Sequence, residues 1–353
     1  MKAIGYQHNL PISNELALQD ITIDKPVASG RDILVEIKAI SVNPVDYKIR
    51  ESRPAAESEF AIIGWDAAGV VTAVGDEVSL FSVGDHVYYT GDLTRSGSNA
   101  EYQLVDERIV GRMPESLSFS EAAALPLTTI TAWEMLFDRL QVPVTLSQDS
   151  DESSAQQTEN RPTVLVVGAA GGVGSIMTQL LKTRTNALII GTASRSESVK
   201  WLKTLGADHV INHRNPLSDE LNKIGITEVD YVVSLNNTEE HFDEIIKCLK
   251  PRGKLGLIDD PNTLNVNALK LKSISLHWEF MYTRSMFTTP DMIEQHHLLN
   301  EVATLIDADK LKTTVAHELG TITAKNVRRA HQMLEDRAAH GKIVLEGWPD
   351  TAE

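Results

Sequence analysis

One cysteine in 353 residues, Cys248, excludes an internal disulfide, a four-cysteine zinc lobe and a Cys-x-x-Cys redox pair. Basic side chains are also in short supply, 33 against 49 acidic, for a net charge of −16. Broad binding to nucleic acid or to an anionic membrane needs a basic face, so neither is an expected partner. Small ligands are untouched by that constraint. Long apolar runs are scarce too. The stretch PTVLVVGAAGGVGSIMTQLL, between Arg161 and Lys182, has twenty residues without a charge, enough to span a bilayer. Four of the twenty are glycines within 168–174, which reads as strand, turn and helix instead. Residues 1–10 lack the apolar core of a secretory signal and read as a mature start. With 42% apolar and 23% charged residues, the composition fits a soluble cytoplasmic globular protein of two domains or one large one.

What is present falls into two patterns. From residue 33 to about 110, ILVEIKAISV, GVVTAVG, DHVYYT and AEYQLVD read as short strands separated by turn residues. SEAAALPLTTITAWEMLFDRL then has helical spacing, broken at Pro126. The polar, acidic stretch 146–161 has no apolar periodicity and reads as a surface loop. From Thr163 the apolar runs TVLVVG, ALIIGT, DHVIN, DYVVSL and KLGLID alternate with helical patterns at 174–183, 196–205, 218–224 and 238–249. Such alternation, with strands apolar throughout, indicates an α/β doubly wound parallel sheet covered on both faces. SISLHWEFMY reads as one more strand, 290–308 as a helix, and the tail as helix, turn at Gly341 and strand. The parallel domain is thus embedded in, or follows, a β-rich one.

The run Val167-Gly168-Ala169-Ala170-Gly171-Gly172-Val173-Gly174 carries the clearest chemistry. Gly168 permits a tight exit from the strand, Gly171 or Gly172 lets the backbone approach a pyrophosphate, and Gly174 lets the helix pack on the sheet. The helix start, with Val173, offers N–H groups and a positive dipole end to phosphate. An acid at the end of the second strand would bind the ribose 2′-hydroxyl of NAD. That place holds Ala193, followed by Ser194 and Arg195, with Lys200 about a turn on and His213-Arg214 ending the third strand. Hydroxyl and guanidinium suit a 2′-phosphate, so the expected cofactor is NADPH. Asn236 and Asn237 end the fourth strand, where strand ends face the ligand crevice, and are either cofactor contacts or an ordinary turn.

These features resemble the medium-chain dehydrogenase/reductase superfamily, on its zinc-independent quinone oxidoreductase side, and bacterial "zinc-type alcohol dehydrogenase-like" proteins in particular. The resemblance spans nearly the whole chain and rests on SVNPVD (41–46), GWDAAGVV (64–71), VGDHV (83–87), LPLT (125–128), the glycine turn, LKPRG (249–253) and GKIV (341–344). It implies a GroES-like β-rich catalytic domain from 1–126, completed by 282–353, around a Rossmann NADP-binding domain at 127–281. It also implies a homodimer, or dimer of dimers, formed through the last Rossmann strand near 273–280, and a contact from Thr128 to the nicotinamide amide.

Catalytic zinc in that superfamily is held at positions matching Asn43, Trp65, Asp66 and a place near Leu127. Of these only Asp66 carries a zinc-type donor, so no metal is expected. The adjacent His296 and His297 diverge by about 100° on a helix and do not chelate together. Without a Lewis acid, oxidation of simple alcohols is disfavoured. Hydride delivery to quinones or α,β-unsaturated carbonyls is the chemistry left, and is also what the resemblance implies. A hydrogen-bond donor to the acceptor oxygen is sought among Asn43, Tyr47 and Lys48. Tyr47 stands one place before the position where relatives often have tyrosine, so that role is not carried over. Asp46 reads as a structural acceptor, Trp65 as wall or core, and His86 as part of a turn. Competing readings are a zinc-type alcohol dehydrogenase and a nucleotide-binding protein without turnover.

Overall fold

The computed structural model describes residues 1–145 and 161–349. The expected loop at 146–161 lies, except for Arg161, outside the described residues. The chain forms two compact units, Met1–Ile130 with Tyr282–Glu353, and Thr131–Met281.

The first unit is built on a seven-stranded sheet. Its long central strand, Asp32–Val42, is rich in β-branched and aliphatic residues and mostly buried. It pairs antiparallel with Asp66–Val74, with Tyr102–Asp106 and with Lys342–Glu346. The register sets Ser41 opposite both Asp66 and Val344, so the end of this strand is flanked by two segments far away in sequence. Val42 leads into Asn43, and Pro44 opens the helix Pro44–Ser52 with a ring already fixed at helical φ. The strand reading from residue 33 onward missed this helix, which is nine residues long with polar side chains at most positions. A separate three-stranded sheet joins Gln19–Thr22, Lys2–Tyr6 and Ala61–Ile62.

The second unit holds six parallel strands. Across the sheet they run His209–Ile211, Leu188–Thr192, Thr163–Val167, Val229–Ser234, Leu249–Leu257 and Ser275–Trp278. In order of appearance this is 3-2-1-4-5-6, the doubly wound arrangement whose reversal point lies between strands one and four. Leu165, Val167, Val232, Leu255 and Leu257 form its core with Phe242, Ile245 and Cys248 from the helix Thr238–Cys248. Burial pushes the Cys248 thiol up to about 12, so it behaves as a small apolar group. The uncharged stretch divides into the strand Thr163–Val167 and the helix Gly172–Arg184. Among the described residues no helix is long and apolar enough to cross a membrane.

A π-helical turn, Glu134–Arg139, sets Met135 against Gly256, where an added Cβ would lie 2.3 Å from its sulfur. The same turn brings buried Glu134 to buried Glu279, just past the edge strand Ser275–Trp278, and Arg139 Nε donates to Glu279 at 2.8 Å. Burial first, then the Glu134 carboxylate, push the Glu279 carboxyl up to about 9 against the pull of Arg139. The folded unit therefore holds a proton that the unfolded chain gives up near its ordinary value of about 4. Stability from that proton is complete below the ordinary value and is lost as pH rises through about 9. Thermal melting followed from neutral pH to mild alkali should show a falling midpoint, and Glu279→Gln should flatten that fall. Parallel profiles for the two proteins would contradict a proton held on Glu279.

Candidate functional site

Two features carry chemistry, one in each unit. In the second, Gly168 leaves the first parallel strand at φ +78°, a backbone region that favours glycine. A Cβ there would meet the Asn236 amide oxygen at 2.7 Å, so the turn and the end of the fourth strand touch at the reversal point. Thr192 Oγ1 accepts from Gly168 N at 3.0 Å and ties in the second strand. Gly171 is the N-cap of Gly172–Arg184, is exposed, and lends no side chain to the helix N–H groups. Gly174 packs so closely that a Cβ would lie 2.2 Å from the Ala169 carbonyl oxygen. A cradle with open N–H groups at a helix start fits the pyrophosphate of a dinucleotide.

Around it, Thr192 pairs with Ile211, so Ser194–Arg195 and His213 follow neighbouring strand ends. Arg195 is exposed at the N-cap of Ser196–Thr204, Ser194 is half-buried, and Lys200 is exposed on that helix. His213 faces the His241 ring at 6.3 Å, and its Nδ1 is buried without a hydrogen-bond partner. Burial, then His241 and Arg214, lower its pKa, with Glu240 opposing. Asn236 is exposed beside the turn, and Asn237 takes a left-handed conformation to start the next helix.

In the first unit a polar cluster lies buried at the end of the central strand. Asp66, fully buried, accepts from Leu127 N at 2.7 Å, Asn43 Nδ2 at 2.7 Å and Lys342 Nζ at 3.0 Å. Lys342 Nζ also donates to Asn43 Oδ1 and, at 3.3 Å, to Val42 O. Asp46 accepts from Asn43 N at 2.8 Å, and its other oxygen is buried without a partner. Burial pushes the Asp46 carboxyl up to about 7, the Asn43 N–H and Lys342 pull it down, and Asp66 adds to the rise. Burial likewise raises Asp66 against Lys342, Asn43 and Leu127. Trp65 is buried, donates to Asp92 O at 3.0 Å and meets the Tyr282 ring edge-on.

Comparison with known proteins identifies the family. The family described as "Alcohol dehydrogenase GroES-like domain" matches residues 29–124, and "Zinc-binding dehydrogenase" matches 205–345. A zinc-type alcohol dehydrogenase-like protein of Staphylococcus aureus is 38% identical over 346 residues, covering 98% of this chain and 99% of the relative. The chain belongs to the medium-chain dehydrogenase/reductase superfamily. It is an oxidoreductase of that group. A Rhizobium etli protein assigned to the zinc-dependent alcohol dehydrogenases superposes with a TM-score of 0.93 at 48% identity, over 99% of each chain. Escherichia coli quinone oxidoreductase, solved with NADPH, superposes at 0.79 and 25% identity, over 98% of this chain and all of that one.

The zinc-ligand positions of the superfamily do not fit zinc in this member. Asn43 turns its amide to Lys342 and Asp66, Trp65 turns its indole to a carbonyl, and Leu127 offers only an alkyl side chain. Asp66 has both oxygens filled by donors. Among the described residues no group of three or more His, Cys, Asp or Glu side chains could hold a metal. His296 Nδ1 donates to Val110 O at 2.6 Å and its Nε2 accepts from Asn300 Nδ2 at 2.9 Å, while His297 is exposed beside Glu294.

Of the three donor candidates, Asn43 is buried in the cluster, Tyr47 is half-buried and Lys48 exposed on the helix Pro44–Ser52. Thr128 is buried, and its hydroxyl donates to Leu125 O at 3.1 Å. His86 is exposed, its ring against Phe119. Lys342 was missed as a site residue. The GKIV run contains it, but nothing in sequence pairs it with Asp66, 276 positions away.

Asp46 supplies a test of the cluster. Its folded value of about 7 lies above the ordinary value, so the stability it contributes is complete in acid and is lost as pH rises through about 7. The protein should be roughly 1–3 kcal/mol more stable at pH 5 than at pH 8 from this group. Asp46→Asn should remove that difference in chemical denaturation, and an unchanged pH dependence would show that the proton sits elsewhere.

Proposed function

We propose that this oxidoreductase uses NADPH to reduce quinones or α,β-unsaturated carbonyls without zinc. The observation that carries the reading is the donor set at the superfamily's metal positions. Asparagine, tryptophan and leucine flank a carboxylate already saturated by N–H donors. A ketone or alcohol that needs a Lewis acid is therefore a poor substrate, while an acceptor already electrophilic at carbon or a quinone oxygen is a good one.

A bound reduced nicotinamide supplies the hydride. The chain's own residues bind, select and orient. Gly168, Gly171, Gly172, Val173 and Gly174 present the backbone to the pyrophosphate, with Asn236 beside them. Ser194, Arg195, Lys200 and His213 receive the ribose phosphate, because no carboxylate stands at residues 193–195 to repel it. Tyr47 is the donor we assign to the acceptor oxygen, being half-buried on a helix whose cap is fixed by Asp46. Asn43 positions that helix start from within the cluster. The composition places the protein in the cytoplasm, and the superfamily implies a homodimer or dimer of dimers through the edge strand Ser275–Trp278, where Trp278 is 52% and Phe280, just beyond, 47% exposed.

Titration should find NADPH bound at least tenfold more tightly than NADH, a difference of about 1.4 kcal/mol. Arg195→Glu should erase the preference, and equal binding of both cofactors by the unaltered protein would refute it. NADPH oxidation with 1,2-naphthoquinone or a simple enone should persist after dialysis against a chelator. Tight NADPH binding with no turnover on either acceptor would instead favour a binding protein. Tyr47→Phe should lower kcat by about 10²-fold or more with little change in KM. Unaltered kcat would remove Tyr47 from the reaction.

A further inference from the structure

The glycine cradle and the ribose-phosphate segment open two different helices, Gly172–Arg184 and Ser196–Thr204. One dinucleotide reaches both only if the starts of those helices keep a fixed separation. Three contacts within the second unit set it. Gly168 N donates to Thr192 Oγ1 and fixes the glycine turn to the end of the second strand. Gly191 on that strand has no side chain, and a Cβ there would meet Leu202 Cδ1 at 3.0 Å and Ala169 Cβ at 3.1 Å. Helix and turn therefore close on the same strand position. The third contact runs directly from one helix to the other, where Trp201 Nε1 donates to Ser175 Oγ at 2.7 Å.

Helical spacing explains why this bond forms. Ser198, Trp201, Leu202 and Leu205 recur at i, i+3, i+4 and i+7 and line one face of Ser196–Thr204 and its C-cap. Ser198, Leu202 and Leu205 are buried and Trp201 is half-buried, while Lys200 is exposed and Arg195 stands at the N-cap. Ser175 is fully buried in the first turn of Gly172–Arg184, its own N–H bonded to Gly171 O. Apolar packing carries no direction, whereas an indole has a single N–H and bonds along it.

We propose that Trp201 is a positioning residue for cofactor choice. Through Ser175 it holds Ser194, Arg195 and Lys200 at the spacing from the glycine cradle that a 2′-phosphorylated dinucleotide requires. The inference rests on the NADPH reading above and goes beyond it by naming what sets the two anion-binding segments against each other. NADPH engages both segments, so its affinity depends on their separation. NADH has no phosphate to place beside Arg195 and is indifferent to it.

Trp201→Phe keeps a ring between the helices and removes the N–H, and Ser175→Ala removes the acceptor. Each should weaken NADPH binding by about three- to tenfold, the worth of one net hydrogen bond, and NADH binding by less than about twofold. In steady state the loss should appear in KM for NADPH, with kcat at saturation held. Both substitutions delete the same bond, so Trp201→Phe/Ser175→Ala should bind NADPH no more weakly than the weaker single variant.

A bond that serves stability alone would lower the melting temperature of each variant and leave the NADPH-to-NADH affinity ratio as it was, and that result overturns the proposal. Equal losses for the two cofactors, or losses that add in the double variant, overturn it as well. Should Trp201→Phe fail to fold, Ser175→Ala decides from the other side. Failure of both to fold makes the bond a condition of folding rather than of cofactor choice, and the proposal falls. Equal binding of NADPH and NADH by the unaltered protein refutes the cofactor reading itself. A preference that survives both substitutions refutes the role of Trp201 alone.

Discussion

Burying an ionised carboxylate costs several kcal/mol unless its oxygens are filled, and Asp66 is the point at which the catalytic-type unit meets that demand. Its partners come from a backbone N–H at Leu127, an amide at the N-cap of Pro44–Ser52 and an ammonium on the tail strand Lys342–Glu346. One side chain thus ties together the start of Asp66–Val74, the end of Asp32–Val42, the opening of two helices and the C-terminal strand. The sheet register makes this possible. Ser41 lies opposite Asp66 on one side and Val344 on the other, so residues just beyond the paired positions are carried into one volume.

The parallel unit solves a related problem in the opposite way. Its polar backbone groups at the start of Gly172–Arg184 are left without a side-chain cap, at the end of a strand paired on both sides. In the first unit the buried charge is satisfied internally. In the second, N–H groups without a side-chain cap at a helix start have the chemistry that suits an anion. Gly168 and Gly174 make the cradle narrow, and they act for different reasons, one by its positive φ and the other by contact with Ala169. The two units therefore treat polar groups differently, one leaving N–H groups uncapped at a helix start and the other enclosing a carboxyl group among donors.

Much of this was legible in the residues themselves, where order in sequence is also order in space. The apolar runs from Thr163 onward, the glycine spacing and the missing acid at 193 are local patterns, and local patterns survive translation into strands and turns. The helix Pro44–Ser52 was not legible as such. Val45, Tyr47 and Ile49 alternate with polar residues, a period that suits a strand, and only the Asn-Pro start and the Asp46 cap decide for a helix. The Lys342–Asp66 and Glu134–Glu279 pairings were out of reach for a deeper reason. Each joins residues more than a hundred positions apart, and neither member has a pattern that marks it as buried.

The donor set also shows why superfamily membership transfers a fold more faithfully than a metal. The backbone path around Asn43, Trp65, Asp66 and Leu127 depends on strand pairing and on a proline-started helix, and these tolerate exchange of the side chains that would ligate zinc. Metal binding depends on those side chains alone. Asp66 is a buried carboxyl group whose oxygens need donors, and a charged partner beside the N–H groups lowers the cost of burying it. A lysine on the neighbouring strand meets that requirement without altering the register, because its long stem reaches from the paired segment into the cluster while its backbone stays in the sheet. The same register can therefore carry different side chains at these positions, and what fills the cluster is decided by those side chains and not by the strand pairing.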